Sequence, residues 1–171
     1  MKRSAALALL LLAACSGAQP TKQPPRQQTP QTDLESAAIQ AGVIADPANT
    51  NITGLYARDT DRVCIVPTAT SYRIGVFVDY GDNQHCSGSG SVTRVGETLH
   101  VDLDGTEGCS FDARFDGDRI AFPGRLPEAC AKVCGGRASM AALDVDQLSQ
   151  SVSEASTLRD HRGKLLCANG G

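Results

Sequence analysis

Seven cysteines and three histidines hold most of the chemistry open to this chain. Six of the cysteines, Cys64, Cys86, Cys109, Cys130, Cys134 and Cys167, lie in its strand-rich and C-terminal parts. Thiols can form disulfides, ligate metal or act as nucleophiles. His85, His100 and His161 fall at no recognised metal-ligand spacing, so no metal and no cofactor is expected. An even number of cysteines in an oxidising compartment implies up to three disulfides, with fifteen possible connectivities. Cys130 and Cys134 sit one helical turn apart in a segment that suits a short helix. Parallel side chains on one face make poor partners for each other, so each is expected to bridge to a different element.

Other residues offer less. His85 adjoins Cys86, His100 lies on the polar side of an alternating run, and His161 lies in a charged turn. No Ser-x-x-Lys, Gly-x-Ser-x-Gly or His-Glu-x-x-His pattern occurs, and no catalytic residue is assigned. The acidic residues from Asp102 to Glu107, with Asp112, Asp116 and Asp118, lack EF-hand spacing and read as turns. Two motifs remain as candidate ligand contacts. Gly88 and Gly90, in Ser-Gly-Ser-Gly-Ser, would either bend a strand sharply or open an internal cavity. Arg137, after a Gly-Gly pair, suits an anion, a carboxylate or a surface ion pair.

The N-terminus sets the compartment. Lys2 and Arg3 precede ten apolar residues, Ala5 to Ala14, as in a secretory signal. A helix of that length rises only about 15 Å, short of the ~20 apolar residues needed to span a bilayer. Leu12-Ala13-Ala14-Cys15 closes the run and resembles the lipobox of bacterial lipoproteins. The resemblance covers residues 1–15. It implies removal of 1–14, acylation of Cys15 and anchoring through lipid; Ser16, where aspartate marks inner-membrane retention, implies the outer membrane facing the periplasm. Assigning Cys15 to lipid leaves the even six. Residues 15–32 follow as a Pro/Gln-rich tether too poor in apolar side chains to fold, with a reach of up to about 50 Å.

Residues 33–171 form one β-rich domain in this reading. Thr32-Asp33-Leu34-Glu35 fits a capping box opening a helix over 33–41, with Leu34, Ala38 and Ala41 packed inward and Gly42 as its stop. Period-two alternation places strands at 72–80, 99–103, 109–115 and 118–122, and further strands are expected at 53–57, 62–67 and 86–94. An Asp116-Gly117 turn would pair Phe115 with Asp118 and Phe111 with Phe122; a Val95-Gly96 turn would pair Val92 with Leu99. Seven strands at such spacing suggest an antiparallel meander forming a small barrel or a sandwich, with short flanking helices. A short helix is expected over Pro127–Val133, and Ser151-Val152-Ser153-Glu154 opens another to about Arg159.

Composition narrows the partners. The chain has 16 Lys+Arg and 19 Asp+Glu; without Lys2 and Arg3 the balance is 14 to 19, a net of −5 for the mature form. That disfavours nucleic acid and anionic lipid surfaces, so membrane contact is expected only through the N-terminal lipid. The overall plan of lipid, tether and disulfide-bonded β domain is similar to that of periplasmic inhibitor and ligand-binding lipoproteins, lysozyme inhibitors among them. It implies a non-enzymatic module that binds an envelope protein or a small ligand. Inhibition of a basic hydrolase, or a hydrolase whose groups meet only in the fold, are the alternatives.

Overall fold

The computed structural model describes residues 32–41, 43 and 51–168; the signal segment, Cys15, most of the tether and Gly42 lie outside them. Eight antiparallel strands follow one another around a closed barrel. They are β1 (Gly54–Arg58), β2 (Asp61–Pro67), β3 (Tyr72–Asp79), β4 (His85–Val95), β5 (Thr98–Leu103), β6 (Ser110–Phe115), β7 (Arg119–Ala121) and β8 (Asp144–Ser149). β8 pairs with both β7 and β1 and seals the wall. The architecture is a barrel, not a sandwich.

Alternation drives the wall. In β5, Leu99, Val101 and Leu103 are buried while Thr98, His100 and Asp102 are exposed. Phe111, Ala113 and Phe115 do the same in β6, and the Phe111 and Phe122 rings meet edge-on at 4.8 Å. Each large apolar side chain turned inward contributes roughly 1.5–3 kcal/mol.

Two hairpins are shifted from their expected registers. Phe115 pairs with Ile120, not Asp118, and Val92 pairs with Val101, not Leu99. The loops are therefore Gly117-Asp118 and Gly96-Glu97, each with its glycine first, at φ +72° and +61°. A positive φ at the first loop position costs glycine nothing sterically and would strain Asp116 or Val95. A two-residue shift leaves every side chain on its face, so the expected inward set of Phe111, Ala113, Ile120 and Phe122 is kept.

β8 makes eight strands where seven were expected. Its Asp-Val-Asp-Gln-Leu-Ser reads against the pattern, because Val145 is buried but Leu148 is exposed and Gln147 is half-buried. A register irregularity between Leu55 and Tyr56 accompanies this strand. Gln147 Nε2 donates to Tyr56 Oη (3.2 Å) and Thr53 O (3.3 Å), and the Tyr56 hydroxyl donates to Ile52 O (2.9 Å). Burial pushes the Tyr56 phenol well above its ordinary range, against an opposing pull from the Gln147 hydrogen bond.

The helices depart from the sequence expectation in packing, type or length. α1 (Thr32–Gln40) forms, but Leu34 is 87% exposed and Ala41 is exposed, correcting the inward packing expected of them. With Leu34 and Ile39 as its only large apolar residues, that helix has little area to bury. Glu128–Val133 is a 3₁₀ helix. α2 (Val152–Ala155) is a single turn, opened by Ser151 Oγ accepting the Glu154 N–H at 3.3 Å. It stops short of Arg159 because the Ser156 and Thr157 hydroxyls donate to the Val152 and Glu154 carbonyls (2.7 Å each), competing with the helix.

The three disulfides are Cys64–Cys167, Cys86–Cys134 and Cys109–Cys130. Cys130 and Cys134 do bridge to different elements. The C-terminal segment lies over the outer wall of β1–β3, where Cys64, Val66, Ala155, Leu166 and Cys167 form a second apolar cluster with Leu55, Phe77 and Leu158. This explains Gly75 and Phe77 on an outward face: a Cβ on Gly75 would meet Leu166 Cβ at 2.5 Å.

Candidate functional sites

The barrel interior offers no room at the expected glycines. Gly88 and Gly90 are buried. A Cβ on Gly90 would lie 2.0 Å from Asp102 O, and one on Gly88 would lie 3.2 Å from Leu103 Cδ1. The glycines serve close approach of β4 to β5. Arg137 is exposed, beside the Gly136 turn (φ +66°), apart from the two constellations described next.

The first constellation is a recess of about 410 Å³ where four chain segments meet. β4 brings His85 and Ser87, the 3₁₀ helix brings Lys132, and the turn at 160–162 brings Asp160, His161 and Arg162. Asp104 closes a fourth side. The Cys86–Cys134 disulfide ties the first two segments, and Gly135 N–H donates to His85 O at 2.8 Å. The His85 and His161 rings meet with centroids 3.7 Å apart, tilted at 40° to each other. Arg162 Nε donates to His161 Nε2 at 3.1 Å, so a neutral His161 carries its proton on Nδ1.

Both carboxylates of this recess are engaged. Asp160 Oδ1 accepts the main-chain N–H groups of Arg162 and Lys164, each at 2.8 Å. Burial raises the Asp160 pKa, but those two bonds and the nearby positive charge outweigh it and hold the carboxyl below its usual range. Asp104 faces Arg73 at 3.5 Å. No ion pair engages Lys132 or Arg162 among the described residues. A more open recess of about 550 Å³, lined by Thr70, Ser71, Tyr72, Thr93, Arg94 and Gly96, lies by the hairpin loops. There Arg94 is already turned onto the Phe115 ring (4.7 Å) and donates to Gly96 O (2.6 Å).

The second constellation stands on the outer wall of β5 and β6. His100 pairs across the ladder with Asp112, and Asp102 with Ser110. His100 Nδ1 lies 2.8 Å from Asp112 Oδ1, and Ser110 Oγ lies 3.1 Å from His100 Nε2. Leu103 N–H donates to Cys109 O and Phe115 N–H to Glu97 O. The alternation of an antiparallel ladder therefore makes His100/Asp112 and Asp102/Ser110 the non-hydrogen-bonded pairs, whose side chains approach most closely. The sequence pattern marks His100 as a polar strand-face residue, but its place beside β6 depends on the register across the 104–109 loop.

Among the described residues, no three His, Cys, Asp or Glu side chains converge as a metal site. No protein family, curated protein or solved structure matches this chain.

Proposed function

We propose that the chain is a lipid-tethered envelope module that recognises an anionic group, a carboxylate or phosphate carried by a small ligand or a partner protein, in the His85/His161 recess. The observation that carries this reading is the charge balance of the recess. Asp104 is paired with Arg73, and Asp160 is the one carboxylate left against Lys132 and Arg162, so the balance facing an incoming ligand is positive. Ring N–H groups of the paired histidines and the Ser87 hydroxyl add hydrogen-bond donors at the same place. The lipobox resemblance at Cys15 and the acidic mature chain fit a domain held at a membrane by its anchor, not by surface charge.

The test is NMR titration of the mature, detergent-solubilised chain with phosphate and with citrate. Saturable shifts of the His85 and His161 ring signals are expected, weakened at least tenfold by Lys132→Ala with Arg162→Ala. Unshifted rings at tens of millimolar would remove the recess from consideration.

A further inference from the structure

We propose that Ser110 is an acyl-accepting nucleophile, activated by His100 and Asp112, with weak esterase activity toward small neutral esters. Three observations carry this beyond a polar cross-strand ladder. Both imidazole nitrogens are used in the required order, with the carboxylate on Nδ1 at 2.8 Å and the serine hydroxyl on Nε2 at 3.1 Å. The Asp112 contact fixes the tautomer that leaves Nε2 free to take a proton.

The second observation is the edge beside the serine. β6 pairs with β7 only at Arg114 and Phe115. The ladder alternation that turns Phe111 and Ala113 toward β5 turns the Ser110 and Asp112 main-chain N–H groups the other way, toward the stretch that β7 does not reach. The nucleophile's own N–H is thereby available as a donor to the oxyanion that develops on the ester carbonyl oxygen as Oγ attacks. The third is local charge. Asp102 lies directly across from Ser110 and Asp112 sits beyond His100, so an anionic substrate is repelled and a neutral ester is not. The wall is open, with His100 and Asp112 side chains 58% and 67% exposed, so it accepts small acyl groups without selecting among them.

In the forward half-reaction Ser110 Oγ bonds to the ester carbonyl carbon and its proton passes to His100 Nε2. The tetrahedral adduct collapses, the bond from carbon to the leaving oxygen breaks, and the His100 proton goes to that oxygen. Water then attacks the acyl-serine, giving a proton to Nε2. Expulsion of Ser110 Oγ, which recovers that proton, releases the acid.

The test uses the mature chain with an alkyl fluorophosphonate, which bonds serine oxygen to phosphorus as fluoride leaves, and with p-nitrophenyl acetate. One adduct is expected, mapped to Ser110, with ester hydrolysis above buffer. Ser110→Ala should remove both, while His100→Gln slows labelling about 100-fold and Asp112→Asn slows it by a smaller factor, all three with unchanged thermal melts. Absence of an adduct on a folded chain overturns the proposal. So does equal labelling of Ser110→Ala, or labelling of Ser110 that His100→Gln leaves unchanged.

Discussion

The barrel has two kinds of wall, and they are held together differently. From β3 to β6 the strands are 6 to 11 residues long and their ladders continuous, and apolar side chains turn inward along them, with Gly88 and Gly90 as the gap in β4. At the seam, β7 has three residues and β8 contributes one fully buried apolar side chain, Val145. There the strands are joined by polar contacts. Inside, Gln147 and Tyr56 satisfy each other. Outside, Arg58 reaches Asp144 (2.9 Å) and Asp146 (3.0 Å), while Arg119 Nε donates to Asp144 (2.7 Å). A closed sheet can thus take its register from apolar alternation over most of its circumference and leave closure to directional bonds.

The contrast can be broken from either side. On the long wall, Gly90→Ala forces a Cβ against the Asp102 carbonyl, which is backbone and cannot rotate away. Spreading β4 from β5 should cost ~1–3 kcal/mol, read by chemical denaturation. A neutral Gly90→Ala would mean that the two strands are not as close as the structure has them.

The seam should give a smaller, pH-dependent effect. Hydrogen bonding to Arg119 is the largest influence on the Asp144 carboxyl and holds it below its usual range, against a burial contribution that raises it. A carboxyl with a depressed folded pKa adds stability above its unfolded value, near 3.9. That stability is lost as pH falls through the folded value. Asp144→Asn should therefore cost under ~1 kcal/mol at neutral pH, converge with the parent chain in acid, and lose its effect in high salt. A penalty that persists at pH 2 would assign Asp144 a role other than charge.

The same contrast governs what could be read from sequence. Strands β3, β5 and β6 are legible because apolar residues, mostly Val, Ile, Leu and Phe, stand at every second position. Both tight hairpins were located but set two residues off, since Val95-Gly96 and Asp116-Gly117 do not say whether glycine stands first or second in the loop. β8 was illegible because Gln147 lies toward the interior and Leu148 outside, the reverse of the pattern. Disulfide connectivity was closed to sequence, since Cys64 finds its partner 103 residues away through a segment that folds back over the wall. The Ser110, His100 and Asp112 grouping depends on a ladder register that only the folded 104–109 loop fixes. The recess at His85 depends on where the C-terminal turn docks.

Peptide mapping with intact-mass analysis of the natively produced chain tests most directly the claim beneath all of this, that export gives one sulfur to lipid and the other six to the fold. The predicted result is an acylated N-terminus at Cys15 and three cross-linked peptide pairs joining Cys64 to Cys167, Cys86 to Cys134 and Cys109 to Cys130. A chain that still begins at Met1 and alkylates at seven thiols would contradict it.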